Sequence, residues 1–221
     1  MSISCLINVY KNDNPYQFKE AINSIINQSL KANEIIVIID GEVSNELLDT
    51  IKYYEKDKSV KIHHMPFNMG LNASRKIGIE MCTGDYVALM DADDISDVAR
   101  FEKQIAAFNK NPDYDYLGGQ IEEFNEVTGK KSLRIVPLNH AEIVKFAKFR
   151  MPMNNVTSMY KKKTYNMTVG YDDERGYEDF KLFYKFHEVG AKFLNLEDTL
   201  VYVRTDENRF NRYRGIQYFR N

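Results

Sequence analysis

Cysteine is scarce in this chain, long uncharged runs are missing, and neither sign of charge prevails. Cys5 and Cys82 are the only two cysteines; they have no metal-type spacing, and Cys5 falls within an apolar stretch. That argues against a disulfide framework or a cysteine metal cluster and for two buried thiols in a reducing cytosol. No uncharged run approaches the roughly 18–20 residues of a membrane-spanning helix, and the opening MSISCLINVYK lacks the basic segment and long apolar core of a secretory signal. A cytoplasmic location is expected. Thirty Lys and Arg against thirty-two Asp and Glu give a formal charge of −2, so no global field draws the protein to nucleic acid or an acidic membrane. Any basic site must be local. Internal repeats, low-complexity tracts and domain-splitting linkers are also lacking.

What is present suffices for an ordinary core: 221 residues, 43% hydrophobic and 13% aromatic. Over residues 1–98, strand and helix signals alternate. ISCLINVY (3–10), EIIVIIDG (34–41), VKIHHM (60–65) and DYVALMD (85–91) read as strands, the first two buried on both faces. Helical spacing of apolar residues predicts helices over 16–30, 46–57 and 72–82. Such alternation argues for a parallel sheet with right-handed crossovers, whose ligands bind beyond the carboxyl ends of the strands. From residue 99 the pattern loosens. Helices are predicted over 99–111, 140–149 and 178–190, with YLGGQIEEFNE and KSLRIVPL as strands of a mixed or antiparallel region. His63 and His64, adjacent on a strand, point opposite ways and do not chelate one ion.

The run YVALMDADDIS (86–96) crowds Asp91, Asp93 and Asp94 where a buried strand ends. Alternate strand residues lie about 7 Å apart on one face, so Asp91 and Asp93 converge only if the chain leaves extended geometry there. Carboxylates held that close repel unless a cation lies between them, and a hard divalent ion, Mg2+ or Mn2+, shared with substrate phosphates would relieve the repulsion. The competing reading is that Asp94 or Ser96 simply caps the following helix.

The ordered set ISCLINVYKN, EIIVIIDG, NMGLNASRKIGIEMCTGDYVALMDADD and GYEDFKLFYKFHEVGAKFLNLEDTLVYVR resembles the GT-A fold, family 2 glycosyltransferases of the type that build bacterial surface polysaccharides. The resemblance implies an α/β fold with a Rossmann-like, mostly parallel sheet flanked by helices and a smaller mixed acceptor-side region. Residues 1–98 would bind the nucleotide sugar and 99–221 the acceptor, within one continuous domain. It also implies an inverting transfer from a nucleoside-diphosphate sugar, a UDP sugar by expectation, to a hydroxyl of a glycan or lipid-linked acceptor.

Residue by residue, the resemblance places Val9 and Tyr10 against the base and makes Asp40 the acceptor of its hydrogen bonds. Ile39 stands where relatives often carry a second acid. Asn68, Gly70 and Arg75 match a segment that receives a base carbonyl or phosphate; on residue type alone, Arg75 reads first as a surface salt-bridge partner. Asp91 would hold the ribose or donor sugar and share the metal with Asp93, the ligand on the diphosphate. Glu178 and Asp179 open a helix whose dipole they would complement in any protein. In the family this pair faces the acceptor, Asp179 as general base and Glu178 orienting it or the acceptor.

Asn155 stands where relatives commonly carry His, and an amide takes no proton, so its role there is limited to hydrogen bonding. The C-terminal stretch brings Arg204, Arg209, Arg212, Arg214 and Arg220 together with Tyr213, Tyr218 and Phe219. It reads as a solvated basic tail, a cover for the diphosphate, or a peripheral contact with the inner face of a membrane. Two further readings compete: a D-x-D phosphohydrolase with Asp91 as nucleophile, and a non-catalytic nucleotide-sugar-binding module.

Overall fold

A computed structural model describes residues 1–172 and 176–205. Strand β1 (Ile3–Val9) is buried nearly throughout and β2 (Glu34–Ile39) entirely, as their unbroken apolar runs require. Each pairs in parallel with its neighbours, and with β3 (Val60–His64) and β4 (Tyr86–Asp91) they give the order β3-β2-β1-β4. Between them run α1 (Pro15–Ile26), α2 (Asn45–Tyr53) and α3 (Leu71–Met81). Helix α1 opens with Pro15 behind an Asn14 cap that accepts from the Tyr16 and Gln17 amides. It stops at Ile26, four residues short of the predicted end, because Ser29 and Gln28 turn outward to bond the carbonyls of Val98 and Asp97. Helix α2 likewise ends at Tyr53, passing into a short 3-10 turn over 54–56.

The sheet does not stop at residue 98. After the two-residue β5 (Ile95–Ser96) and α4 (Arg100–Lys110), the chain adds β6 (Tyr116–Phe124), β7 (Lys131–Arg134), α5 (His140–Phe146), β8 (Met159–Lys161), the four-residue α6 (Lys162–Tyr165), α7 (Glu178–Glu188) and β9 (Phe193–Arg204). Antiparallel pairing of β8 with both β4 and β6 joins the two halves into a nine-stranded sheet, with β9 and β5 at the far end and β7 beside β6. One core layer packs α1, α2 and α4 against this sheet; the other packs α3, α5 and α7.

The second half is more parallel than its sequence suggested. Its longest pairing, β6 with β9, is parallel, and β9 slips register opposite Gly119 and Gln120. Glu197 and Asp198, exposed at that slip, interrupt the apolar alternation and hide β9 from a pattern reading. Arg204 closes β9 and corrects the expectation of a basic tail at its own position. It is buried, its guanidinium held by Glu126 and by Glu20 at 2.8 Å, and its Nε donates to the Asp93 carbonyl at 2.8 Å. Arg209, Arg212, Tyr213, Arg214, Tyr218, Phe219 and Arg220 lie outside the described residues.

Helix α3 lies against β1 and β2 at Gly78, where a side-chain carbon would overlap Leu6 and press on Ile38. Gly78→Ala is expected to cost about 1–3 kcal/mol by overpacking, read as a lower urea midpoint with unchanged slope.

Candidate active site

The carboxyl ends of β1 and β4 and the N-terminal ends of α3 and α7 open onto one cleft of about 1170 Å3. Arg75, Asp91, Asp93, Glu178 and Asp179 all line it, drawn from α3, from β4 and the turn after it, and from α7. An adjoining pocket of about 630 Å3 is lined by Val9, Tyr10, Asp40, Asn68 and Gly70, and Glu178 borders both spaces.

In the smaller pocket, Asp40 is buried and its carboxylate is engaged. It accepts from the Met69 amide at 2.7 Å, the Gly70 amide at 2.9 Å and the Asn68 side chain at 3.1 Å. Thus Asp40 fastens the turn that opens α3. Gly41, at φ +82°, passes so close to the backbone of Phe67 and Asn68 that no side chain fits. His64 bonds the Gly41 carbonyl at 3.0 Å, a structural contact.

Arg75, one turn into α3, is buried and lies between two acids. Its guanidinium reaches Asp179 at 2.5 Å and Asp91 at 3.6 Å, with the Tyr171 ring 5.8 Å away. These are its protein partners among the described residues, and they make it a buried ion-pair partner rather than a surface one. Burial works to lower its pKa, but Tyr171, Asp179 and Asp91 outweigh it and hold the proton more firmly than usual. For Asp179, burial raises the carboxyl pKa above its ordinary value; Arg75 opposes the rise and Asp91 adds to it.

The backbone that presents this acid is unusual. Gly176 at φ +92° is followed by Tyr177 at φ +59°, the one non-glycine residue with positive φ among those described. Glu178 accepts from the Gly176 amide at 2.7 Å, tying the strained entry to the first turn of α7.

Two groups went unread in the sequence. Asp13, in the turn between β1 and α1, lines the cleft, accepts from the Tyr10 amide at 2.9 Å and has its pKa pushed up to about 7. Burial is the main cause, followed by repulsion from Asp93 and Asp91 against the relief of the Tyr10 bond. Arg100, taken as a helix start, is wholly buried and bonds the carbonyls of Leu89 at 2.9 Å and Ser158 at 3.2 Å, bracing the end of β4 from behind.

Helix capping does not account for the acidic cluster. Helix α4 opens at Ala99 without a side-chain cap, Asp94 instead accepts from the Arg204 amide at 2.9 Å, and the Ser96 hydroxyl meets Gln28. Asn8, Asn154 and Asn155 line the cleft, and their Nδ2, Oδ1 and Oδ1 atoms respectively are buried without a hydrogen-bond partner among the described residues. No group of three or more His, Cys, Asp or Glu among the described residues forms a ready-made metal cage. Yet Asp91 and Asp93 line one cleft and together raise Asp13, so the donor set fits a hard divalent cation that takes its remaining ligands from a substrate.

Residues 4–182 match the family model described as glycosyl transferase family 2. The chain belongs to that family. Among curated family relatives, an uncharacterized glycosyltransferase of Haemophilus influenzae is 35% identical over 98% of this chain and 80% of its own length. The amylovoran biosynthesis glycosyltransferase AmsE of Erwinia amylovora is 31% identical, covering 98% and 81%. An Escherichia coli UDP-Gal:alpha-D-GlcNAc-diphosphoundecaprenol beta-1,3-galactosyltransferase is 33% identical, covering 97% and 78%. Among solved structures, S. aureus TarS superposes with a TM-score of 0.76 at 16% identity, over 96% of this chain and 38% of TarS. This likeness fixes the GT-A fold. Family membership also overturns the phosphohydrolase reading, whose D-x-D would close the first strand, whereas Asp91 ends β4.

Because the Asp13 pKa is raised on folding, its carboxylate destabilises the folded chain above the unfolded value near 4, and fully so above about 7. Asp13→Asn should therefore raise stability by about 1–2 kcal/mol at pH 8, after allowance for solvent screening, with the gain vanishing towards pH 4. Denaturation of ligand-free protein across that range checks it.

Proposed function

We propose that this family 2 glycosyltransferase moves a hexosyl group from a UDP sugar to a hydroxyl of a lipid-linked or glycan acceptor, with inversion, in building a bacterial surface polysaccharide. The observation that carries the reading is the meeting of Asp91, Asp93, Arg75 and Asp179 in one cleft beside the pocket of Asp40. The relatives support the donor and acceptor classes, since one is named for a UDP-galactose donor and a diphosphoundecaprenol acceptor. A neighbouring TarS structure, TM-score 0.72 at 18% identity over 94% of this chain and 59% of that one, is described in complex with UDP-GlcNAc.

Val9, Tyr10, Asn68, Gly70 and Asp40 would bind the base and ribose. Asn8, at the end of β1 and lining both spaces, would add a hydrogen bond to the donor. Asp93 and Asp91 would hold Mn2+ or Mg2+, which when bound neutralises charge gathering on the departing diphosphate. Asp179 takes the proton of the acceptor hydroxyl as that oxygen bonds to the anomeric carbon. The bond from that carbon to phosphate breaks in the same displacement, and its electrons leave on UDP. The raised pKa of Asp179 makes its carboxylate a stronger base than an ordinary aspartate, and Arg75 holds it in place. Asn155 adds a hydrogen-bond acceptor to the cleft and no proton transfer.

Calorimetric titration of UDP with and without Mn2+ tests donor binding. Metal-dependent binding that weakens at least tenfold in Asp93→Ala is expected, and binding indifferent to both the ion and the mutation would defeat the reading. Asp179→Asn should keep UDP binding and lower kcat by about 10²–10⁴. Undiminished turnover in that variant would return the base to some other residue. In the parent enzyme kcat should fall as pH drops through the raised pKa of Asp179, because the protonated acid accepts nothing.

A further inference from the structure

One stretch departs from the near-neutral balance of the chain. Residues 127–151 carry Lys130, Lys131, Arg134, Lys145, Lys148 and Arg150 against Glu142 alone, a surplus of five positive charges in a protein of net charge −2. Lys130, Lys145, Lys148 and Arg150 are exposed, and among the described residues none of the four has an ion-pair partner. Of the acids nearby, Glu122 is engaged by Lys131 at 2.7 Å and Glu126 by Arg204, which leaves Glu123 of β6, accepting from the Ser132 hydroxyl at 3.4 Å, against the surplus of the stretch.

The same stretch exposes large apolar side chains among these cations. Val127, at the tip of the β6–β7 hairpin, is 94% exposed; Leu133 is 61%, Ile135 72% and Phe149 82% exposed. The hairpin and the turn after α5 are joined. Asn154 donates to the Arg134 carbonyl at 3.4 Å, and Asn195 donates to the carbonyls of both Pro137 and Pro152. Both segments also reach the catalytic cleft, which Leu133, Arg134, Ile135, Arg150 and Met151 help to line.

Exposed apolar side chains interleaved with lysines and arginines match the chemistry of an anionic bilayer: the cations meet headgroup phosphates while the apolar groups enter the boundary of the acyl chains. A water-soluble glycan would need neither. We propose that the β7 hairpin and the turn after α5 dock on an anionic lipid bilayer, presenting the acceptor side of the cleft to a substrate carried in that bilayer. The acceptor half of this statement rests on the function proposed above; the docking half does not. It also places the membrane contact on residues 127–151, in place of the C-terminal arginines to which the sequence pointed.

Flotation of the full chain with phosphatidylcholine vesicles, with and without phosphatidylglycerol, at low and high salt, tests the docking. The protein should float only with anionic vesicles, and less as salt rises. Lys145→Glu/Lys148→Glu/Phe149→Ser and, separately, Val127→Ser/Lys130→Glu should each weaken flotation by about tenfold, with UDP titration in Mn2+ unchanged. None of these five residues lines the cleft, and the two variants lie on separate segments, so misfolding of one leaves the other to decide. Absence of flotation with anionic vesicles overturns the proposal and leaves the face to a protein partner. So does flotation untouched by both variants but abolished by converting Arg209, Arg212, Arg214 and Arg220 to Gln. Failure of the parent protein to bind UDP would count against the transferase reading and leave the docking result standing.

Discussion

A buried cation between two acids organises this protein. Arg75 comes from α3, Asp91 from the end of β4 and Asp179 from the first turn of α7, so one guanidinium fixes three elements at a single point. At these separations an ion pair near a protein surface is worth on the order of 4 kcal/mol before desolvation is counted. Stranding a buried charge by removing its partner costs about 3–5 kcal/mol. The contact therefore holds the cleft at a fixed width across the join between the two halves of the sheet. The same bond keeps the carboxylate of Asp179 aimed into the cleft while burial and Asp91 raise its proton affinity. On the proposed reading, structure and reactivity would share this one contact.

The parallel half was legible because its physics is local. Strands buried on both faces are continuously apolar, helices repeat every three or four residues, and the chain alternates between them without interruption. The second half showed β6 and β7 in its sequence but hid β8 and β9, for identifiable reasons. β8 is three residues long, too short to show any period. β9 carries Glu197 and Asp198 at its register slip, where two exposed acids in an apolar run imitate a turn. Arg204 looked like part of a basic tail because neighbours in sequence dominated the reading, yet Glu20 and Glu126, its partners, are distant in the chain.

The candidate site divides in the same way. Asp40, Arg75, Asp91, Asp93, Glu178 and Asp179 stand at strand and helix ends, where a motif reading looks, and the fold brings all six to two adjoining spaces. Asp13 and Arg100 do not announce themselves. The raised pKa of Asp13 comes from burial and from acids about eighty positions away, and Arg100 matters through carbonyls at Leu89 and Ser158. No local pattern encodes such fields. The bonds of Asp40 to the 68–70 turn were equally out of reach of the sequence, although they shape the pocket in which that acid was placed.

The electrostatics of the cleft constrain how a substrate enters. Asp13, Asp91, Asp93 and Asp179 face it, against Arg75, already committed to two of them, and the outer-wall cations Arg134 and Arg150. A diphosphate arriving alone meets a surplus of like charge on the floor. Protonation of Asp13, whose pKa is pushed up to about 7, relieves part of it. A divalent cation held by Asp91 and Asp93, as proposed, would relieve more, because it would cancel carboxylate and phosphate charge together. On the proposed reading, donor and cation then bind as linked ligands, each raising the affinity of the other by the same factor. Occupation of the site by the cation also lowers the proton affinity of Asp13, so the pH at which the donor binds depends on whether the ion is present.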